Sequence, residues 1–235
     1  MKRKMKIGII GAGHIGATLA RHFTHLGHDV VVANSRGPQS LADLAKETGA
    51  KPVPAAEVPR GRDLVVVTIP EAKIPDLPRG LFKNAPANLI VIDTGNYYPR
   101  HRDGKINGIE NGLLESRWVE QQLGHPVIKV FNNIYAEHLA KQGKSPGSAG
   151  RIALPVSGDD AKAKEVVMQL VNDIGFDPVD AGGLDESWRQ QPGTPVYTAD
   201  FDAAGVRRAL AQATPERKPE WRATPKSPGT YNAPA

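Results

Sequence analysis

Short β-branched runs alternate with segments of helical apolar spacing along most of the chain. The runs predict strands at Lys6–Ile10, Asp29–Ala33, Leu64–Ile69, Leu89–Asp93, Val127–Phe131, Ile152–Ser157 and Phe176–Asp180. Several are apolar throughout, such as Val65-Val66-Val67 and Leu89-Ile90-Val91-Ile92. Strands buried on both faces read that way, because helices cover each side of a parallel sheet. Between them, Ile15, Leu19, Phe23 and Leu26 recur at helical spacing, and Gly27 follows as a stop. Leu41, Leu44 and Ala45 mark a second helix. Ala161–Ile174 marks a third, with Val166, Val167, Leu170 and Val171 on its inner side, capping residues in Ser157–Asp160 before it and Gly175 after it. The expected class is α/β: a doubly wound, mostly parallel sheet with a short C-terminal extension.

The character changes near residue 185. Gln191–Pro195 is rich in turn residues, Ala203–Ala211 is compatible with one short helix, and from Thr214 the chain is rich in Pro, Lys, Arg and Thr. The expected organisation is therefore one α/β unit over 1–185, a short cap over 186–213, and a Pro-rich tail or dimer arm over 214–235. Trp188 and Tyr197 are candidates to wall the site of a small acceptor, and Arg189 to pair with an acidic tail of that acceptor; the alternative is that Trp188 caps the core or a dimer contact.

Composition narrows the functional classes. The net charge is +5, but six Lys/Arg against two Asp/Glu lie from Arg207 onward, so the tail carries most of it. Basic residues are not interleaved with aromatics, which argues against nucleic acid as a partner. No run approaches the ~20 apolar residues of a membrane helix, and the apolar stretch after the basic start is too short for a signal peptide. With no cysteine, thiolate metal sites and thiol nucleophiles are excluded. The expectation is a cytoplasmic protein without a membrane partner. His22, His25 and His28 drift around one helix and read as surface, so no metal site is expected.

Gly11-Ala12-Gly13-His14-Ile15-Gly16 is a GxGxxG set between a strand and an amphipathic helix, the context a Rossmann-like dinucleotide site requires. Gly11 permits the tight turn, Gly13 lets the backbone approach a pyrophosphate, and Gly16 lets the helix pack on the strand. A glycine turn without ligand is the alternative. The second strand ends Ala33-Asn34-Ser35-Arg36, without the acid that bonds the ribose hydroxyls in NAD sites. Ser35 and Arg36 suit a 2′-phosphate instead. Arg36 solvating a helix end is the alternative reading; the conjunction favours NADP(H).

Lys6–Gly16, Asn34–Pro38, Asp93-Thr94-Gly95-Asn96-Tyr97-Tyr98-Pro99, Lys129–Ile134 and Ser157–Asp160, taken in order, resemble the NADP oxidoreductases that depend on the deazaflavin coenzyme F420. The resemblance spans residues 6 to about 185. It implies that His14 and Ile15 lie near the pyrophosphate, Thr68-Ile69-Pro70 along the cofactor, and Asn132, Asn133 and Ile134 near the nicotinamide. His14 stands where some of these enzymes carry Asn; its imidazole can bond phosphate or substrate, or stand in solvent.

Hydride transfer between flat rings needs positioning and exclusion of water more than acid–base groups. No Ser/His/Asp set, Tyr-x-x-x-Lys motif or metal-ligand spacing is evident, and no catalytic side chain is assigned. The region after the sheet is too short for a large helical substrate domain. The main expectation is an NADP(H)-dependent oxidoreductase passing hydride to or from F420, a flavin or another small acceptor, acting as a homodimer that closes an otherwise open cleft. A non-catalytic NADPH sensor and a reductase of a small carbonyl or imine remain open.

Overall fold

The computed structural model describes residues 4–216. Most of the expected tail, from residue 217 on, lies outside the described residues. Six strands form the main sheet: β1 (Lys6–Ile10), β2 (Asp29–Ala33), β3 (Lys51–Pro52), β4 (Leu64–Val67), β5 (Ile90–Asp93) and β6 (Ile128–Lys129). Their order is β3-β2-β1-β4-β5-β6, every pairing parallel. This is the doubly wound order whose connections diverge on either side of β1, opening a crevice beyond the C-terminal strand ends.

Side chains on the strands alternate between two cores. Ile7, Ile9, Val30, Val32, Leu64, Val66, Ile92 and Ile128 pack with Leu19 and Phe23 of α1 (His14–His25) and Val167, Leu170 and Val171 of a later helix. Ile10, Val31, Ala33, Val65, Val67 and Val91 pack on the other face with Ile74, Phe82, Trp118 and Val119. Burial on both faces is why the strands read as unbroken apolar runs.

The remaining helices are α2 (Ala42–Thr48), α3 (Asn107–Glu110), α4 (Glu115–Leu123), α5 (Ala136–Lys141), α6 (Ala161–Asp173) and α7 (Ala203–Gln212). Asp160 caps α6 by accepting from the amides of Lys162 and Ala163 at 2.9 and 3.0 Å, as the run before it predicts. Gly175 takes φ 105°, the left-handed conformation that ends the helix.

Two of the expected strands stand apart from the main sheet. β7 (Ala153–Val156) and β8 (Asp177–Asp180) pair parallel with each other, and an antiparallel bridge between Lys129 and Ser157 joins them to the main sheet. α7 packs Val206, Ala209 and Leu210 on Ala153 and Val179, so this second sheet carries its own small core. The surface reading of the three histidines needs correction. His22 Nε2 meets Leu139 O at 2.8 Å, and His28 Nδ1 accepts from the Met5 amide at 3.1 Å; His25 is the exposed one. No helix among the described residues is long and apolar enough to cross a membrane.

Candidate functional site

The C-terminal ends of β1, β4, β5 and β6 release four loops along one edge of the sheet. The first is the glycine turn. Gly11 takes φ 109°, its amide bonds Ala33 O at the end of β2 at 2.8 Å, and a Cβ there would lie 2.2 Å from Thr68 O. A Cβ on Gly16 would lie 2.0 Å from Gly11 O, so turn and helix are in backbone contact. Gly13 differs. It is the N-cap of α1, with no side-chain cap, no acid in the first turn, and nothing within 4 Å of where a Cβ would stand. Two glycines close the turn; the third leaves open space before unpaired helix amides. That combination fits a pyrophosphate. Exposed His14 and half-buried Ile15 begin the helix, and half-buried Ala12 links the glycines.

At the end of β2, Asn34 shapes its own loop. Its Oδ1 accepts from the Arg36 amide at 3.0 Å and its Nδ2 donates to Ser40 Oγ at 2.8 Å. Ser35 and Arg36 are exposed, and the Arg36 guanidinium makes no hydrogen bond or ion pair among the described residues. An exposed hydroxyl and an exposed guanidinium with no partner among the described residues fit a 2′-phosphate.

Thr68-Ile69-Pro70 leave β4, which ends at Val67 rather than Ile69, and pass against Gly11. Asn132 and Asn133 follow β6 and are buried. Asn132 Nδ2 donates to Asn96 Oδ1 at 3.0 Å and to Gln190 O at 2.7 Å, while Gln190 Nε2 donates to Asn132 Oδ1 at 2.9 Å. Ser157 Oγ donates to Gln190 Oε1 at 2.8 Å, and the Thr198 amide donates to Asn133 O at 2.8 Å. The segment after residue 185 is thereby fastened across the sheet edge. Tyr197 brings its hydroxyl into hydrogen-bonding contact with Tyr98, and Arg102 lies over the Tyr98 ring, 5.1 Å from its centroid. Burial, with the neighbouring Tyr197 next, pushes the Tyr98 phenol well above its ordinary pKa, and burial raises Tyr197 too, so both stay neutral at physiological pH. Arg189 stacks on Trp188 and pairs with Glu186 at 2.5 Å, so its charge is engaged within the cap.

Sequence reasoning missed the charged cluster beneath this edge. Lys129 is fully buried and donates to Asp93 Oδ2 at 2.9 Å and Gly95 O at 2.6 Å. Ser116 Oγ also reaches Asp93 Oδ2 at 2.9 Å, and Glu115 Oε2 accepts from the Tyr97 amide at 3.2 Å. Burial alone would lower the Lys129 pKa, but the charges beside it, Asp93 foremost, hold it above the ordinary lysine value. Glu71 is fully buried with neither carboxyl oxygen hydrogen-bonded among the described residues. Burial, then the charge of Glu115, raises its pKa well above the usual carboxylate range. The signal was present in the lone lysine inside the apolar run Val127–Phe131 and the acid closing β5. The cluster fixes the loops after β4, β5 and β6 relative to one another. No group of His, Cys, Asp or Glu suited to a metal ion occurs among the described residues.

A doubly wound sheet with this glycine turn defines a Rossmann-type, dinucleotide-binding protein. Residues 6–97 match the family described as NADP oxidoreductase, coenzyme F420-dependent. The structure is similar to that of protein SMa0349 from Sinorhizobium meliloti, with a TM-score of 0.71 and 30% identity over 84% of this chain and 95% of that one. It is also similar to a protein of Arthrobacter sp. FB24 provisionally described as an F420-dependent NADP-reductase, with a TM-score of 0.65 and 25% identity over 78% and 87% of the two chains. YjhV of Escherichia coli K12 is 55% identical over 67 residues, covering 28% of this chain and 49% of that protein. D-3-phosphoglycerate dehydrogenase of Haemophilus influenzae is 26% identical over 68% of this chain and 40% of its own length. The chain thus spans about half, or less, of the length of the curated relatives it matches. Residues 6–97 thus carry the pattern of this NADP oxidoreductase family, and family match and fold together support an NAD(P)-dependent oxidoreductase.

Proposed function

We propose that the protein is an NADP(H)-dependent oxidoreductase exchanging a hydride with a small planar acceptor of the F420 or flavin type. The observation that carries this reading is the α1 N-terminus. Open space at Gly13 stands before helix amides with no side-chain cap, and exposed Arg36 stands at the end of β2. In this reading Ala12, Gly13, His14 and Ile15 hold the pyrophosphate through backbone amides, while Gly11 and Gly16 keep turn and helix in contact. Ser35 and Arg36 bind the 2′-phosphate, with Asn34 positioning their loop. Thr68, Ile69 and Pro70 support the cofactor along the sheet edge, and Asn132 and Asn133 border its redox end. When bound, NADP(H) supplies or accepts the hydride. The residues of this chain orient the reactants and keep water away.

The acceptor assignment rests on the aromatic mouth beside Asn133. Tyr98 and Tyr197 are part-buried there, and exposed Tyr135 stacks edge-on with His138. Flat apolar faces of this kind suit a planar ring system. Tyr135 and Phe201 are 54% and 41% exposed, and His138 beside Tyr135 pairs with Asp200, next to Phe201, which supports a homodimer that shields the mouth.

A second reading, reduction of a small carbonyl or imine, is favoured by the Tyr98–Tyr197 pair, since a neutral phenol can deliver a proton to the product. NADPH oxidation measured with F420, FMN, FAD and a panel of small carbonyls and imines separates the readings. Turnover with the planar acceptors that survives Tyr98→Phe supports the first. Turnover confined to carbonyls or imines, and lost in Tyr98→Phe, supports the second. Tight NADPH binding without turnover on any acceptor would identify a sensor.

A further inference from the structure

Two buried side-chain amides at the sheet edge each hold one atom with no hydrogen-bond partner among the described residues. Asn133 is 4% exposed with Oδ1 unpaired, and Gln191 is 8% exposed with Nε2 unpaired. Native interiors rarely leave such groups unmet, because each forfeits its bonds to water without return. The two belong together. Each follows directly on a residue of the doubly bonded Asn132–Gln190 pair, and Asn133 O also takes the Thr198 amide. One orphan is an acceptor and the other a donor.

Backbone strain is concentrated on the same two segments. The non-glycine residues with positive φ among the described residues are Phe131 (66°), Thr198 (56°) and Asp200 (50°), flanking Asn133 and its contact. Strain of this kind persists where surrounding structure enforces it, typically at ligand clamps.

We propose that Asn133 and Gln191 read the carboxamide of the cofactor's nicotinamide ring. Asn133 Oδ1 accepts from the amide NH2, and Gln191 Nε2 donates to the amide carbonyl. The inference rests on the NADP(H) reading above. The chemistry selects this class of group. A phosphate or carboxylate offers acceptors alone and would leave Asn133 Oδ1 unmet, while an ammonium offers donors alone and would leave Gln191 Nε2 unmet.

The test is a fluorescence titration of the full chain with NADP+ and with its 3-acetylpyridine analogue, which keeps the carbonyl and replaces NH2 by CH3. The wild type is expected to bind NADP+ about fivefold more tightly, one hydrogen bond's difference. Asn133→Leu is expected to erase that preference and Asn133→Asp, which keeps an acceptor oxygen, to retain it. Gln191→Met is expected to weaken both ligands alike. Equal binding of the two by the wild type would overturn the proposal, and so would a preference that survives Asn133→Leu. That wild-type comparison needs no variant to fold. Binding of neither ligand by the wild type would overturn the NADP(H) reading itself, a different result from binding both equally.

Discussion

Replacing Gly13 by alanine separates a binding role from a structural one. Gly13 has φ −73° and ψ −167°, which alanine adopts without strain, and its added Cβ meets nothing within 4 Å. Two small effects on stability then oppose each other. Alanine at an N-cap is worse than glycine, and losing a good cap typically costs ~1 kcal/mol. Stiffening the unfolded chain returns about 0.4–1 kcal/mol. The net is near zero, and a change of 1 kcal/mol moves the melting temperature of a chain this long by only about 2–4 °C. Binding responds differently, because the methyl group occupies the volume through which a pyrophosphate reaches the helix amides. Loss of one charge-assisted bond of about 1.5–3 kcal/mol weakens NADPH by roughly ten- to a hundredfold. Gly16→Ala is the control: its Cβ at 2.0 Å from Gly11 O forces turn and helix apart and lowers stability first. Thermal melts and NADPH titrations of both variants decide the matter. A Gly13→Ala protein that melts normally and binds NADPH as the wild type does would refute the assignment of that space to the pyrophosphate.

Other outcomes follow from the buried groups. Because Glu71 has a raised pKa in the folded state, the unfolded chain releases this proton first as pH rises. Its contribution to stability is therefore largest at acid pH and falls as pH climbs above the ordinary glutamate range toward the folded value. Glu71→Gln should flatten that decline, giving a larger gain over wild type in urea unfolding at pH 8 than at pH 5; equal gains at both would contradict a raised Glu71 pKa. Lys129→Met should cost about 3–5 kcal/mol, because Asp93 is left charged and buried, and Asp93→Asn in the same background should recover part of it in denaturant midpoints. Gln190→Leu strands Asn132 and Ser157 and should cost about 1–3 kcal/mol, with faster proteolysis between residues 184 and 200; unaltered cleavage would mean that the network does not hold the segment down.

Elements governed by local periodicity are legible in the sequence: it predicts β1 and β2 with their observed bounds and α1 and α6 nearly so, because the helices present apolar residues to one core at regular spacing and the strands are apolar on both faces. β6 is shorter than the expected Val127–Phe131, ending at Lys129 just before Phe131 turns to φ 66°. α4 went unread because Glu115 and Ser116 lie on its buried side beside Trp118 and Val119, so polarity and burial part company there. The glycine turn and the end of β2 carry their chemistry within consecutive residues and were readable. The Asn132–Gln190 bonds, the Tyr98–Tyr197 contact and the Glu71 cluster join residues far apart in the chain. Only the folded arrangement brings them together.

The central claim is that the exposed arginine at the end of β2 recognises a 2′-phosphate, and one pair of titrations tests it most directly. Wild-type and Arg36→Ala proteins are titrated with NADPH and with NADH at the same ionic strength. The account predicts that the substitution raises the dissociation constant for NADPH by about ten- to a hundredfold, the worth of one charge-assisted contact, and leaves that for NADH nearly unchanged. Equal losses for both, or no loss for NADPH, would contradict it.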